Sequence, residues 1–220
     1  MTSCLLKILA CILMLVDHIG FCLFPRVLIL RMIGRLAFPL FAFQIAIGFS
    51  HTKNKKQYMI RMFLFAITSQ LPFQFFRAAS GYTEFHTNVG FTFFISLLCL
   101  YLIDCYQEKK QILYLLLIVP LISAAVLLKV DYSFYGPVLV ILFYLFGLEK
   151  KNFPILVITT IYATIIYVLI IKNSIQFYCL LSLLIILLYN GKKGPSFKYA
   201  FYLFYPLHLI ILGMINYLFI

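Results

Sequence analysis

Long apolar runs constrain this chain more than any other feature of its sequence. Stretches such as "ILYLLLIVPLISAAVLL" and "PILVITTIYATIIYVLII" are long enough to cross a bilayer as helices, and they lack the period of two that a membrane strand requires. Of the 220 residues, 65% are hydrophobic and 11% are charged, against roughly 25% charged in soluble domains. A soluble interior cannot hide so much apolar surface, and helices satisfy the backbone in lipid. We therefore expect an all-α, polytopic integral membrane bundle.

Charged or turn-rich breaks divide the chain into about nine apolar segments. We expect them near 4–24, 33–50, 58–77, 89–106, 111–128, 134–148, 153–171, 174–190 and 198–219. No linker, low-complexity run or internal repeat separates them, which predicts a single membrane domain over residues 1–220.

The positive charges are distributed unequally between the two sets of alternating loops. Twelve of the 18 Lys and Arg residues fall on the side of the N-terminus. They are Lys7, Lys53, Lys55, Lys56, Arg61, Lys109, Lys110, Lys150, Lys151, Lys192, Lys193 and Lys198. The positive-inside rule then predicts a cell (inner) membrane protein with a cytoplasmic N-terminus. The net charge of +12 lies on short loops, which indicates topology and contact with anionic lipid rather than nucleic-acid binding.

An aspartate and a histidine stand side by side in "LMLVDHIGFCLF", inside the first apolar segment. Ionisable groups at this depth are costly and are functional by default, although interfacial anchoring or packing is the alternative. Neighbours on a helix point about 100° apart, so Asp17 and His18 need separate partners. Arg31 and Arg35 share a helix face in the next segment. A pair between Asp17 and either arginine would neutralise the carboxylate and leave His18 as a neutral, titratable group.

Other polar residues give weaker signals. For His208, in "FYPLHL", a buried core position and a functional role are equal alternatives. The commonest role of a residue such as Asn88 is packing between helices. His51 and His86 lie in or beside loops. The six cysteines are scattered like small core residues, and no histidines and carboxylates stand at metal-ligand spacing, so we expect no metal. The sequence contains no glycine-rich phosphate loop and no serine-nucleophile motif.

Several motifs occur in an order that resembles the TraX family from end to end. They are "LKILACILMLVDHIG", "LRMIGRLAFPLFAFQIAIGFSHTKNKKQYMIRMFLFAITSQLPF", "TNVGFT", "DYSFYGPVLVILFY" and "KYAFYLFYPLHLIIL". The name-giving member of that family is known for N-terminal acetylation of conjugative F-type pilin. The family is similar to wider membrane acyltransferases that share a histidine in an early helix and an "FPLF"-like segment. One position departs from the pattern, because Ile47 stands where many relatives have an acidic residue.

The resemblance implies an acyltransferase that moves acetyl from cytoplasmic acetyl-CoA to an acceptor at the outer face, such as a peptide or pilin amine, a sugar or a lipid. His18, with Asp17 beside it, would act as general base or as an acyl-carrying nucleophile. Arg31 and Arg35 would bind a phosphate or carboxylate, and Asn88 and His208 complete the candidate substrate-binding set. The candidate contacts for the CoA phosphates are Lys53, Lys55 and Lys56. Membrane topology explains the positive charge of these lysines equally well.

Two other classes of function remain open at this point. A small transporter or flippase would use the ionisable cluster as a proton or anion path, although no repeat supports it. A chaperone without catalytic activity would bind a membrane partner. Transfer or hydrolysis of acetyl-CoA distinguishes the enzyme from both.

Overall fold

The chain folds into helices throughout, and the computed structural model describes residues 1–195 and 197–219, the side chain of Lys198 excepted. The described α-helices are α1 (Ser3–Cys22), α2 (Leu28–Gly34), α3 (Ala37–His51), α4 (Lys55–Ala79), α5 (Val89–Lys109), α6 (Leu113–Leu116), α7 (Ile118–Leu127), α8 (Tyr135–Phe146), α9 (Phe153–Ile171), α10 (Ser182–Leu187) and α11 (Lys198–Phe219). Short 3-10 segments precede α9 at Lys150–Asn152 and α10 at Ser174–Leu181. The all-α fold class is confirmed.

Length and hydropathy divide the helices of the described residues into two groups. Six are long and apolar enough to cross a membrane: Ser3–Cys22, Leu28–His51, Lys55–Ala79, Val89–Lys109, Lys150–Ile171 and Tyr199–Phe219. Three shorter apolar segments, Leu113–Leu127, Tyr135–Phe146 and Ser174–Leu187, occupy the positions of the other predicted segments. The chain is a multi-pass membrane protein.

The second predicted segment differs from the structure at its start. The apolar pattern predicts a start at residue 33, but the helical region begins at Leu28 and is interrupted between α2 and α3. Pro39 has no N–H to donate to the carbonyl of Arg35, so the helix ladder loses a bond at that point. Arg31 within α2 and Arg35 at the interruption both face α1, where they bond Asp17.

The loops meet at opposite ends of the bundle in two groups. At one end, the amide of Ser3 donates to the carbonyl of Lys192 at 2.8 Å, which joins the N-terminus to the segment before α11. At the other end, the α4–α5 loop meets the α7–α8 turn through a bridge between Thr87 and Val130. This is the alternation that the distribution of positive loops predicts.

Glycines allow α1 and α2 to approach closely near the far end of α1. A Cβ at Gly34 would overlap Asp17, and a Cβ at Gly20 would lie 2.6 Å from the Cβ of Leu30. Small residues at such contacts let membrane helices pack backbone to backbone. Helix α11 packs along α4 and also contacts α1, so a side chain on α1 reaches both helices.

Candidate active site

Asp17 and two arginines form a buried ionic triad between α1 and α2. Arg31 Nη1 donates to Asp17 Oδ2 at 2.6 Å and to the Asp17 carbonyl at 3.0 Å. Arg35 Nη2 donates to the same Oδ2 at 2.5 Å, and its Nε donates to Oδ1 at 3.3 Å. Asp17 is 7% exposed and Arg35 is 9% exposed. The expected pairing of Asp17 with an arginine is therefore present, and both arginines take part.

Aromatic rings hold the triad on two sides. The guanidinium of Arg31 lies 5.0 Å from the ring of Phe21, and that of Arg35 lies 5.8 Å from the ring of Tyr132. Tyr132 stacks on Phe38 with ring centroids 3.7 Å apart. One carboxylate faces two guanidinium groups, so the triad keeps one net positive charge. The Asp17 carboxylate and the aromatic rings already hold both guanidinium groups, and this limits how much either arginine can reorient toward a ligand.

His18 pairs with His208, on the last long helix. Nδ1 of His18 lies 2.7 Å from Nε2 of His208, and the two rings stack with centroids 5.0 Å apart. Nδ1 of His208 lies 2.8 Å from the carbonyl oxygen of Phe204, one turn earlier in α11. His208 is therefore both a buried residue and a direct neighbour of His18, because the α1–α11 contact brings the two imidazoles together. No spacing along the sequence indicates this contact across 190 positions.

A cavity of about 120 Å³ opens beside the triad and the histidine. Its charged or titratable lining residues include Asp17, His18, Arg31, Arg35, Arg77 and Asp131. We call it the outer cavity because it lies toward the end of the bundle opposite the N-terminus. The sequence reasoning missed Arg77 and Asp131 as site residues. Arg77 stands at the end of the predicted segment 58–77, and Asp131 lies in the break between 111–128 and 134–148. These two positions are far apart in the sequence, and α4 and the α7–α8 turn converge here only in the fold.

Arg77 has a different environment from the triad arginines. Its Nη2 lies 3.2 Å from Nδ1 of His86, and its guanidinium lies 5.5 Å from the ring of Tyr82. Among the described residues, no carboxylate lies within ion-pair distance of it. Burial, and then the charge of Arg77, lowers the pKa of His86 in the α4–α5 loop. The neutral form of His86, which accepts from the guanidinium, is thereby favoured.

A larger cavity of about 390 Å³, the inner cavity, lies toward the end of the bundle that holds the N-terminus. Three cationic residues line it, Lys7, Arg61 and Lys193, together with apolar and aromatic side chains. The two cavities share four lining residues: Met14, Phe41, Val89 and Tyr205. They are therefore adjacent, and His18 lies on the outer side of their junction.

The predicted phosphate-binding lysines do not line this cavity. Lys55 pairs with Asp104 on α5 and lies 4.8 Å from the ring of Phe49, while Lys53 and Lys56 are exposed. Helix α4 begins at Lys55, which turns that side chain toward α5 rather than toward α1. The cations that line the inner cavity are Lys7, Arg61 and Lys193 instead.

Asn88 is used for structure. It caps α5 by accepting from the amide of Gly90 at 2.8 Å, and its side-chain amide donates to the carbonyl of Ala66 at 2.7 Å and to Gln70 Oε1 at 2.8 Å. It is fully buried and lines neither cavity. These contacts give Asn88 the packing role that was the alternative to substrate binding.

His51, the remaining histidine, lines neither cavity. It is exposed at the end of α3 and contacts Ser50 and the carbonyl of Ile47. Within the described residues, no group of three or more His, Cys, Asp or Glu side chains is arranged to hold a metal ion.

These features define a class: a multi-pass membrane protein with a histidine pair and a carboxylate–arginine triad beside two adjacent cavities. The family model described as "TraX protein" matches residues 3–216, so the chain belongs to the TraX family. The resemblance seen in the sequence motifs is confirmed.

Two curated relatives extend the comparison. The chain is 29% identical over 233 residues to the probable fimbrial assembly protein FimC, serogroup H1, of Dichelobacter nodosus, covering 94% of this chain and 92% of the relative. It is 40% identical over 72 residues to the uncharacterized protein RP591 of Rickettsia prowazekii (strain Madrid E), covering 33% of this chain and 29% of that protein. No solved structure matches the chain.

Proposed function

We propose that this protein is a membrane acyltransferase that moves an acetyl group from acetyl-CoA, supplied on the cytoplasmic side, to an acceptor of the cell envelope. The observation that carries the proposal is the position of His18, which lines the smaller outer cavity close to its junction with a cationic inner cavity. Acetyl-CoA cannot cross a bilayer, so its thioester must meet the acceptor inside the protein. A histidine that lines one cavity close to the other is suited to that meeting.

The charge and size of the inner cavity support a CoA thioester as the donor. Its volume of about 390 Å³ falls within the usual range of ligand pockets, about 300–1,000 Å³. Lys7, Arg61 and Lys193 would bind the phosphates as charge-assisted donors. Lys7 and His18 are separated by eleven residues of one helix, about 16 Å along its axis. The pantetheine arm has about the length of four extended residues, ~14 Å, and so spans most of that distance.

His18 has two alternative roles in this reaction, as a general base or as a nucleophile. As a general base, His18 takes the proton of an incoming amine or hydroxyl. The acceptor then attacks the thioester carbonyl, the C–S bond breaks, and the CoA thiolate takes up a proton. As a nucleophile, His18 itself displaces CoA as the thiolate and forms an acyl-imidazolium. The acceptor then attacks the acyl carbon, the bond between that carbon and the imidazole nitrogen breaks, and the proton of the acceptor passes to the CoA thiolate. The triad would stabilise α1 around His18 and supply one net positive charge for an anionic intermediate.

The comparison with a relative named as a fimbrial assembly protein supports a pilin or another envelope peptide amine as acceptor. A sugar or lipid hydroxyl would meet the same base. The net positive outer cavity favours an acceptor with a carboxylate or phosphate near the reacting group, and Arg77 is the cation there without a carboxylate partner among the described residues. Loop lysines on the cytoplasmic side would bind anionic lipid headgroups.

The test is incubation of the purified protein with radiolabelled acetyl-CoA and an envelope extract. We expect label to be released as acetate or transferred to an extract component. A transporter, flippase or chaperone would leave the thioester intact at the rate of buffer alone, and that result would contradict the proposal.

A further inference from the structure

The hydrogen-bond partners of His208 restrict where its proton can reside. Nδ1 of His208 lies 2.8 Å from the carbonyl oxygen of Phe204, and a carbonyl oxygen can only accept. Nδ1 therefore carries a hydrogen. In a neutral imidazole the other nitrogen carries none, so Nε2 of His208 is an acceptor.

The same reasoning extends to His18. Its Nδ1 lies 2.7 Å from Nε2 of His208, and a bond between them requires a hydrogen on one of the two nitrogens. Because His208 Nε2 is the acceptor, His18 Nδ1 is the donor. Nε2 of a neutral His18 is then left with its lone pair free. Since Nδ1 is turned toward His208, Nε2 is the nitrogen available to the outer cavity, which His18 lines.

The surroundings of the pair favour the neutral state that this reasoning requires. His208 is 5% exposed, and its ring stacks on Phe204 with centroids 4.8 Å apart. His18 lies against Phe76, with centroids 5.1 Å apart. In the described part of the chain, no carboxylate lies within hydrogen-bonding distance of either imidazole. A buried charge without a counter-ion is costly, and the triad arginines beside His18 add to the cost of a further cation.

We infer that His208 is a positioning residue, which holds His18 in the tautomer that has its hydrogen on Nδ1 and a free electron pair on Nε2. The catalytic meaning of this tautomer depends on the proposed function. His18 receives the acceptor proton on Nε2, or attacks the thioester carbon with the same electron pair. The imidazolium or acyl-imidazolium that results keeps its Nδ1–H bond to His208, and His208 neither contacts the acyl group nor gains a proton.

The test is ¹⁵N NMR of the protein in detergent micelles with ring-labelled histidine. The four histidines are assigned by difference, with His18→Gln identifying the resonances of interest. We expect His18 to show a protonated Nδ1 and an unprotonated Nε2. A protonated Nε2 on His18 in the parent protein would overturn the inference, whether or not transfer activity is found.

Two substitutions of His208 separate positioning from packing. In His208→Gln, the amide oxygen can accept from His18 Nδ1 and the amide nitrogen can donate to the Phe204 carbonyl, so the tautomer should persist. In His208→Leu no acceptor remains, and His18 should acquire hydrogen on Nε2. An unchanged His18 tautomer in a folded His208→Leu protein would overturn the inference. If that variant does not fold, the parent and His208→Gln spectra decide the matter.

Transfer rates give a second measurement on the same variants. We expect the transfer rate of His208→Gln to stay within about tenfold of the parent. The rate of His208→Leu should fall by about 10²–10⁴-fold, as it does when a catalytic histidine can no longer act as a base or has the wrong tautomer. His51→Gln, at the surface, serves as the control and should match the parent. Equal losses in the Gln and Leu variants would overturn the positioning role. A predicted tautomer in a protein without acyl transfer would contradict the proposed function and leave the tautomer assignment intact.

Discussion

Asp17→Asn offers the sharpest test of the ionic triad. The substitution keeps the size of the side chain but removes the charge that faces Arg31 and Arg35. Two of the hydrogen bonds to the arginines meet on Oδ2, at 2.6 and 2.5 Å, so an amide group at this position puts a donor against a donor or leaves one guanidinium without an acceptor. Both guanidinium groups then remain largely buried beside each other with no carboxylate between them.

The magnitude follows from removing one partner of a buried ion pair, which costs about 3–5 kcal/mol of unfolding free energy. For a chain of this length, each kcal/mol lowers Tm by about 2–4 °C, which gives a decrease of roughly 6–20 °C. Arg35→Gln should cost less than Asp17→Asn, because the carboxylate retains Arg31. The order of the two variants therefore tests the three-membered arrangement as well as its existence.

The assay is thermal unfolding of purified variants in one detergent, followed by intrinsic fluorescence or by loss of monodisperse protein. Glu84→Gln is the matched control, because Glu84 forms an exposed ion pair with Lys129 at 3.7 Å. Exposed pairs contribute little, so its Tm should stay within about 2 °C of the parent. If Asp17→Asn unfolds at the same temperature as Glu84→Gln, the triad does not stabilise the bundle as described.

Three further predictions concern packing, pH and topology. Gly34→Ala places a methyl group against the triad carboxylate and should cost about 1–3 kcal/mol in thermal unfolding, and an unchanged Tm would contradict the close α1–α2 approach. Because the pKa of His86 is lowered in the folded state, its contribution is complete above the unfolded pKa of about 6.5 and declines as the pH falls below that value. Tm of the parent should therefore drop between pH 7 and 5, because protonated His86 is repelled by Arg77. The drop should be smaller in His86→Gln, and equal drops in both proteins would contradict the role of His86. In a Cys105→Ser background, an impermeant thiol reagent should label Thr83→Cys in intact cells and not Lys53→Cys, and the reverse pattern would invert the orientation.

The fold class was predictable because lipid leaves few solutions for an apolar backbone. Uninterrupted apolar runs locate the helices, and charged breaks separate them, so the predicted segments correspond to the observed helices. The start at Leu28 was missed because the segments were divided at charged residues, and Arg31 lies inside this helix. Pro39 indicates in the sequence that the helix is interrupted. The direction in which Arg31 and Arg35 point depends on how α2 packs against α1.

The site was predictable only where its partners are close in sequence. Asp17 and the two arginines lie within 18 residues of each other, and the cost of a buried carboxylate requires a cation nearby. His208 and Arg77 reach the site from α11 and α4, and helix packing in three dimensions determines that contact. Charge alone favoured the loop lysines for phosphate binding, whereas the fold assigns Lys55 to Asp104 and turns Lys7 and Lys193 toward the inner cavity.

The central claim, that His18 is the transfer group, is tested most directly by the rate of acetyl transfer or acetyl-CoA hydrolysis in His18→Gln. A glutamine fits the space of the imidazole and can still bond His208, so the protein should fold with a Tm close to that of the parent. Losing a proton-transfer group costs about 10²–10⁴-fold in rate, and losing a nucleophile costs more. We expect a loss of at least about 10²-fold in folded His18→Gln protein. A rate within about tenfold of the parent would contradict the claim and assign the chemistry to another residue.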